Sequence, residues 1–288
     1  EVWGCRGSRS FVPRRSAIAN HTSCYSILHG PDLLVLDAGR GLLALGSAVS
    51  RRAGFRGIRR VHVLVSHAHL DHWEGLKDAE WFWGKELSLE VTLLGTPQAL
   101  RAIRGVYGHP FYVSLELLAA GTMCRVSWEE IEPGDTKRLG GFEVRTEPLY
   151  HYSGDERARE WLDTLGFRAT APDGATVAYL SDHEPHQGTR EIEGKLLDGA
   201  HLAVYDAHWL HARHHAHGHG SQEHAAGMAS AFPRTLVLAG HHGPSLLDPE
   251  IRAAHRRHGR AARNFRLAVE GEAFRFDRRR EAFVARHR

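Results

Sequence analysis

A chain of 288 residues with 42% hydrophobic and 25% charged side chains has the composition of a globular protein and length enough for a sizeable core. Its net charge of +3 does not by itself demand a nucleic-acid partner, and no apolar run approaches the ~20 residues of a membrane-spanning helix. Cys5, Cys24 and Cys124 stand far apart without a CxxC pair, which reads as reduced, buried thiols in the cytoplasm rather than a disulfide framework.

In chain order, Val2–Ser8 predicts a short strand turning on glycines, and no signal peptide is read ahead of it. Asn20–Leu28 and Leu33–Asp37 predict two strands joined at the Gly30-Pro31 turn as a hairpin or meander. A helical stretch starts at Asp37-Ala38-Gly39-Arg40-Gly41 and runs to about Arg52. Val61–Val65 is valine-rich and lacks helical period, the mark of a buried strand. The loop leaving it reads Ser66-His67-Ala68-His69-Leu70-Asp71-His72. Trp73-Glu74-Gly75-Leu76 then opens a helix-like segment, and Trp81-Phe82-Trp83 reads as core or pocket wall. Val91–Gly95 predicts a strand, Pro97 a helix start, His109–Tyr112 a loop, and Phe142–Thr146 a half-buried strand. No linker, low-complexity tract or repeat divides residues 1–288, so a single domain is expected.

Imidazole nitrogens and carboxylate oxygens are the ligands of zinc and its borderline neighbours. His67, His69, Asp71 and His72 lie too close along a tight turn to serve one tetrahedral ion, so two ions sharing the site is the natural reading. With 23 His in the chain, single histidines carry little information; the strict H-x-H-x-D-H order carries more. Later strands repeat the placement. Phe142–Thr146 runs on to His151, Val177–Ser181 ends at Asp182, Leu202–Tyr205 at Asp206, and Thr235–Gly240 at His241. Each predicted strand delivers a His or Asp at its trailing edge, where a sheet can gather ligands remote in sequence. His208, His211, His214, His215, His217 and His219 crowd one loop, read either as an accessory metal or metal-loading site or as a solvated, compositionally biased tract. His21, His29, His62 and His109 read as structural or surface residues, and His183 as another that sits near enough to Asp182 to reach the site. Arg252, Arg256, Arg257, Arg260, Arg263 and Arg266, with Arg278–Arg280, read as solvated faces rather than phosphate sites.

Together these residues resemble the metallo-β-lactamase fold hydrolases, and within them the ribonuclease Z-like and cyclic-nucleotide phosphodiesterase-like branch. The H-x-H-x-D-H run is that superfamily's hallmark. Trp3–Ser8, Asn20–Cys24, Leu36–Gly39, Tyr179–Asp182, Gly218–Ser221 and Ala239–Pro244 extend the resemblance along nearly the whole chain. It implies an α/β (α+β) fold, a four-layer αββα sandwich with the metal centre at one edge between the sheets. It implies His67, His69 and His151 on one ion, Asp71, His72 and His241 on a second, and Asp182 bridging. His242 is an alternative to His241, although strand register favours the latter. Two divalent ions are expected, zinc first, with manganese or iron suited to the same donors. Asp71 then serves catalysis through the second ion, His219 donates a proton to the leaving group, and Asp206 orients His219 or a nearby loop. Two departures stand out: Gly220-Ser221 follows His219 where the branch has Ser-Thr, and Tyr152–Trp161 is longer than the usual glycine turn, which bears on the pocket rim.

The expected function is a metal-dependent phosphodiesterase acting on a small phosphodiester such as a cyclic nucleotide. An RNA-processing endonuclease comes second, weakened by modest charge and by the lack of a Gly/Pro-rich arm for gripping tRNA. Hydrolysis of a lactam, lactone or thioester is a third reading, since a fold alone does not decide chemistry. A degenerate binding module is disfavoured by the complete ligand set. Members of the branch are often dimers, so a cytoplasmic homodimer without membrane contact is expected.

Overall fold

The structure, a computed structural model, describes residues 1–10, 16–84, 87–154, 157–185, 189–214 and 217–286. The first half of the chain builds a six-stranded sheet. Its elements are β1 (Val2–Gly4), β2 (Cys24–His29), β3 (Asp32–Leu36), α1 (Leu42–Arg51), β4 (Arg60–Leu64), β5 (Glu90–Gly95), α2 (Pro97–Val106), α3 (Leu115–Ala120) and β6 (Arg125–Glu130). β1, β2 and β3 pair antiparallel, and β3 to β6 run parallel. Along β3 and β4 the side chains alternate: Leu33, Val35, Val61 and Val63 pack under α1, while Leu34, Leu36 and Leu64 face the other sheet. Strands covered on both faces must be apolar throughout, which is why these runs were readable from sequence.

The second half holds β7 (Thr136–Leu139), β8 (Phe142–Leu149), β9 (Tyr152–Ser153), β10 (Glu160–Trp161), β11 (Thr164–Thr170), β12 (Thr176–Leu180) and α4 (Thr189–Leu197). It continues with β13 (Leu202–Asp206), α5 (Gln222–Ala231), β14 (Leu236–Gly240), α6 (Asp248–His258), β15 (Phe265–Leu267), β16 (Phe274–Asp277) and β17 (Ala282–Ala285). The second sheet has the order β15-β14-β13-β12-β11-β8-β7, and β9–β10 and β16–β17 form separate ribbons. Helices α1–α3 cover the outer face of the first sheet and α4–α6 that of the second. Between the sheets lies a common core that includes Leu34, Leu36, Leu64 and Leu94 against Phe142, Leu165, Phe167 and Val204. This is the expected αββα sandwich.

Parallel neighbours need crossover connections, and α4, α5 and α6 supply them between β12, β13, β14 and β15. The carboxyl ends of those strands therefore share one edge, the place where open α/β sheets bind ligands. Asp37 follows β3, the histidine loop follows β4, His151 follows β8, Asp182 follows β12, Asp206 ends β13 and His241 follows β14.

Several expectations change. The strand expected from Asn20 begins at Cys24, because the backbone N–H groups of Asn20 and His21 are taken by the Glu270 carboxylate and the His21 carbonyl by Arg6. The helix-like segment expected from Trp73 is the 3₁₀ helix Glu74–Asp78, which follows a 3₁₀ turn at Leu70–His72. There the Gly75 N–H donates to the Ala38 carbonyl at 3.0 Å, and a Cβ on Gly75 would collide with the Gly39 carbonyl. Trp81 and Phe82 are core residues, whereas Trp83 is exposed. All three cysteines are free and buried. Among the described residues no helix is long and apolar enough to cross a membrane. Arg252, Arg256, Arg257, Arg260 and Arg263 are exposed, as a solvated face requires.

Candidate metal centre

The loops at the shared edge converge. One donor atom each from His67, His69, His151 and Asp182 lies within 4.8 Å of the others, and Asp71, His72 and His241 form a second such group. Asp182 stands between the two. Its Oδ2 is 3.2 Å from His72 Nε2, 3.7 Å from His151 Nε2 and 3.8 Å from His67 Nε2. Its Oδ1 is 3.0 Å from His241 Nδ1, though without hydrogen-bond alignment. All seven residues expected as ligands are thus brought together. His242 is not among them: its Nε2 is 3.3 Å from the Ala268 carbonyl.

Each of the five imidazoles spends one ring nitrogen on the protein and aims the other inward, His241 Nδ1 meeting the Ser23 hydroxyl at 3.2 Å. His72 Nδ1 meets Asp37 at 2.6 Å, His151 Nδ1 the Gly218 carbonyl at 2.8 Å, His69 Nε2 the Ser153 hydroxyl at 2.7 Å, and His67 Nδ1 the Ser66 hydroxyl at 2.9 Å. Such outer partners fix the tautomer and orientation of metal-binding histidines. The inward atoms His67 Nε2, Asp182 Oδ1, His208 Nδ1 and His241 Nε2 are buried without a hydrogen-bond partner. Folded proteins rarely leave buried polar atoms bare. Gly7 keeps space open in front of two of them, since a Cβ there would run into the His241 and His208 rings. This donor set, bare and convergent, fits a divalent cation of the zinc class.

Electrostatics agree. Burial and the neighbouring rings pull His67 well down, and burial pulls His151 down to about 3, so both imidazoles present lone pairs. Burial pushes the Asp182 carboxyl up, yet His241 and His72 hold it well below the usual carboxylate range. Burial also pulls His72 down, but Asp182, Asp71 and Asp37 surround it and favour a positive charge there. The same ring of carboxylates favours a cation. Asp71 in turn accepts from the Ser8 N–H at 2.9 Å.

Asp37 is a site residue that sequence reasoning did not single out. It accepts from the Ser66 N–H at 2.7 Å and from the Tyr179 hydroxyl at 2.6 Å besides His72. Its φ of 55° and the 49° of His241 are left-handed conformations for non-glycine residues, strain of about 1–3 kcal/mol each that packing must hold. Asp37→Asn is expected to weaken metal affinity roughly 10–100-fold by loosening His72, as such partners typically do. Competition titration against a chelator reads this; unchanged affinity would remove Asp37 from the centre.

His219 lies beside the cluster. Its Nδ1 is 3.1 Å from Asp206 Oδ2 and 3.8 Å from Asp182 Oδ2. Asp206 also accepts from the His183 and Gly220 N–H groups at 3.1 Å and from the His208 N–H at 2.9 Å, so it orients His219 and the loops on either side together. The His208 ring stacks on His219 at 4.1 Å, and His208, His219 and His241 form a further group of convergent donors. Among the described residues of the histidine-rich loop, only the two nearest the sheet edge, His208 and His219, reach the cluster. His215 lies outside the described residues, as do Asp155 and Glu156 within the stretch 152–161. His183 turns away and pairs with Glu193 at 3.0 Å, beside Tyr205 and His224.

Residues 30–242 match the family described as the β-lactamase superfamily domain. No curated protein matches the chain. Among solved structures it is similar to the metallo-β-lactamase fold protein YhfI from Bacillus subtilis, at 16% identity and TM-score 0.65, covering 94% of this chain and 95% of that one. It is also similar to a diphosphatase from the PhnP family, at 16% identity and TM-score 0.59, covering 94% of each chain. Unliganded yeast PDE1 is similar at 13% identity and TM-score 0.58, covering 92% of this chain and 96% of that one. At these identities the likeness is one of fold. The family match, the sandwich and the convergent donors lead to one assignment: the chain belongs to the β-lactamase superfamily domain family, whose members are metal-dependent hydrolases.

Proposed function

We propose that the protein hydrolyses a small phosphodiester, a cyclic nucleotide being the foremost candidate, with two divalent ions, zinc first, as its cofactors. The observation that carries this reading is the His219–Asp206 pair set against the donor cluster. Seven protein donors exceed what one four-coordinate ion uses, and Asp182 touches both groups, which supports two ions. Bound there, such ions supply Lewis-acid polarisation of a phosphoryl oxygen and lower the pKa of water. The chain's own part is proton delivery. Burial pulls His219 down, but the Asp206 carboxylate bonded to its ring pushes it above its ordinary value, which favours the protonated form. Asp206 engages Nδ1, which leaves Nε2 as the nitrogen that gives the proton to a departing alkoxide.

The rim supports a planar substrate group. The β9–β10 ribbon leaves directly from His151, with Leu162 N–H donating to the His151 carbonyl at 3.1 Å and Ser153 holding His69. On it Trp161, 53% exposed, stands edge-on to Tyr150 at 5.3 Å and Tyr152 at 5.4 Å. Base–aromatic stacking contributes about 1–3 kcal/mol. Trp161→Ala is therefore expected to raise KM for a nucleoside-bearing phosphodiester roughly 5–150-fold with kcat little changed. An equal rise for a phosphodiester without a base would sink the stacking role.

Three buried free thiols support a reducing, cytoplasmic setting. A second copy of the chain is the proposed partner, with the apolar side chains of Phe111, Leu117 and Met123, which are 75%, 66% and 57% exposed, as the surface it would cover. A monomer mass by light scattering would remove that part. The decisive experiment couples elemental analysis to hydrolysis of a chromogenic phosphodiester, cyclic nucleotides, a tRNA precursor and a lactam. Turnover of the precursor alone, or of the lactam alone, overturns the reading.

A further inference from the structure

Away from the catalytic cluster, a second set of metal donors stands on the helical layer of the second sheet. His211 lies on the loop leaving β13, Glu223 in the first turn of α5, and His258 is the last residue of α6. One donor atom from each falls within 4.8 Å of the others. His211 Nδ1 and His258 Nε2 are 2.9 Å apart; in the catalytic cluster His69 Nδ1 and His151 Nε2 are 3.0 Å apart. Two imidazoles on one tetrahedral zinc, with Zn–N of about 2.0–2.1 Å, place their nitrogens roughly 3.3 Å apart. A displacement of a few tenths of an ångström therefore admits the ion. The Ala212 N–H donates to Glu223 Oε2 at 2.9 Å and keeps that carboxylate beside His211.

We propose that His211, Glu223 and His258 bind a zinc-class divalent ion separate from those of the catalytic cluster, tying the loop between β13 and α5 to the end of α6. That loop carries His208 at one end and His219 at the other, so the ion is a staple for the segment that presents both. Protonation states favour it. Burial and nearby cations pull His211 and His258 below the ordinary imidazole value, leaving lone pairs free, while the Ala212 N–H holds Glu223 ionised. Arg213 and Arg257 lie close enough to oppose a dication, which weakens the site without removing a donor. The competing account is a plain hydrogen bond, one ring donating to the other.

Zinc content separates the two. Wild type and the His211→Ala/His258→Ala double variant are equilibrated at micromolar free zinc, desalted and analysed per chain. The double variant is expected to carry one equivalent less, and added zinc is expected to slow proteolysis between β13 and α5 in wild type only. Equal zinc in both proteins overturns the proposal, as does zinc protection that persists in the variant. Glu223→Gln, which preserves shape, covers the case in which the double variant misfolds: it is expected to lower zinc affinity, and unchanged affinity counts against the site.

Discussion

Asp182→Asn is expected to strip the catalytic cluster of metal and to lower hydrolysis by about 10³-fold, the equivalent of roughly 4 kcal/mol of lost transition-state charge stabilisation. The reason is position. The Asp182 carboxylate faces both donor groups, reaching His67, His72 and His151 with one oxygen and His241 with the other. Asparagine removes the negative charge and turns an N–H₂ toward nitrogens that should face a cation. The buried imidazoles, already disposed toward neutrality by burial, would then have no anion to balance bound dications. Elemental analysis and turnover on the same preparation check the result. Full metal content with full turnover would place the ions elsewhere, and the two-group description of the centre would fail with it.

What could be read before the structure was what local chemistry encodes. Leu33-Leu34-Val35-Leu36 and, apart from His62, Val61–Leu64 are apolar on both faces because both faces are covered, and they fall in β3 and β4. The convergence of the expected ligands was legible because parallel strands end at one edge, so residues that follow separate apolar runs meet there. What was missed depends on distant contacts. Asp37 looks like any strand-terminal acid until Ser66, His72 and Tyr179 gather on it. His208 was hidden in a histidine-rich tract, and its backbone bond to Asp206, its stack on His219 and its bare, buried Nδ1 set it apart; its place two residues past a strand end was the available signal. Gly218, whose carbonyl orients His151, carries no side chain to read at all. β6 and β11 were missed too, because Arg125-Val126-Ser127-Trp128-Glu129-Glu130 and Thr164–Thr170 carry mixed patterns that sheet pairing overrides.

His219→Ala is expected to slow hydrolysis of alkyl phosphodiesters by roughly 10²–10⁴-fold, the usual contribution of a general acid, and to slow nitrophenyl esters far less. A nitrophenolate leaves without a proton; an alkoxide does not. The structure supplies the parts this requires: a buried imidazole 3.1 Å from Asp206 and 3.8 Å from Asp182, the residue proposed to bridge the ions. The sign of the pH dependence follows. Burial works against the charged ring, but the Asp206 carboxylate bonded to Nδ1 raises its pKa above the ordinary histidine value, so the acid form persists to higher pH than that of a free histidine. Turnover of poor leaving groups should fall on the alkaline side as that proton is lost, and Asp206→Asn should move the fall to lower pH by removing the charge that sustains it. A structural role alone would leave that limb in place and reduce every substrate alike. Equal losses on alkyl and nitrophenyl esters would exclude proton donation and make His219 another ligand, with His208 and His241, of the metal centre.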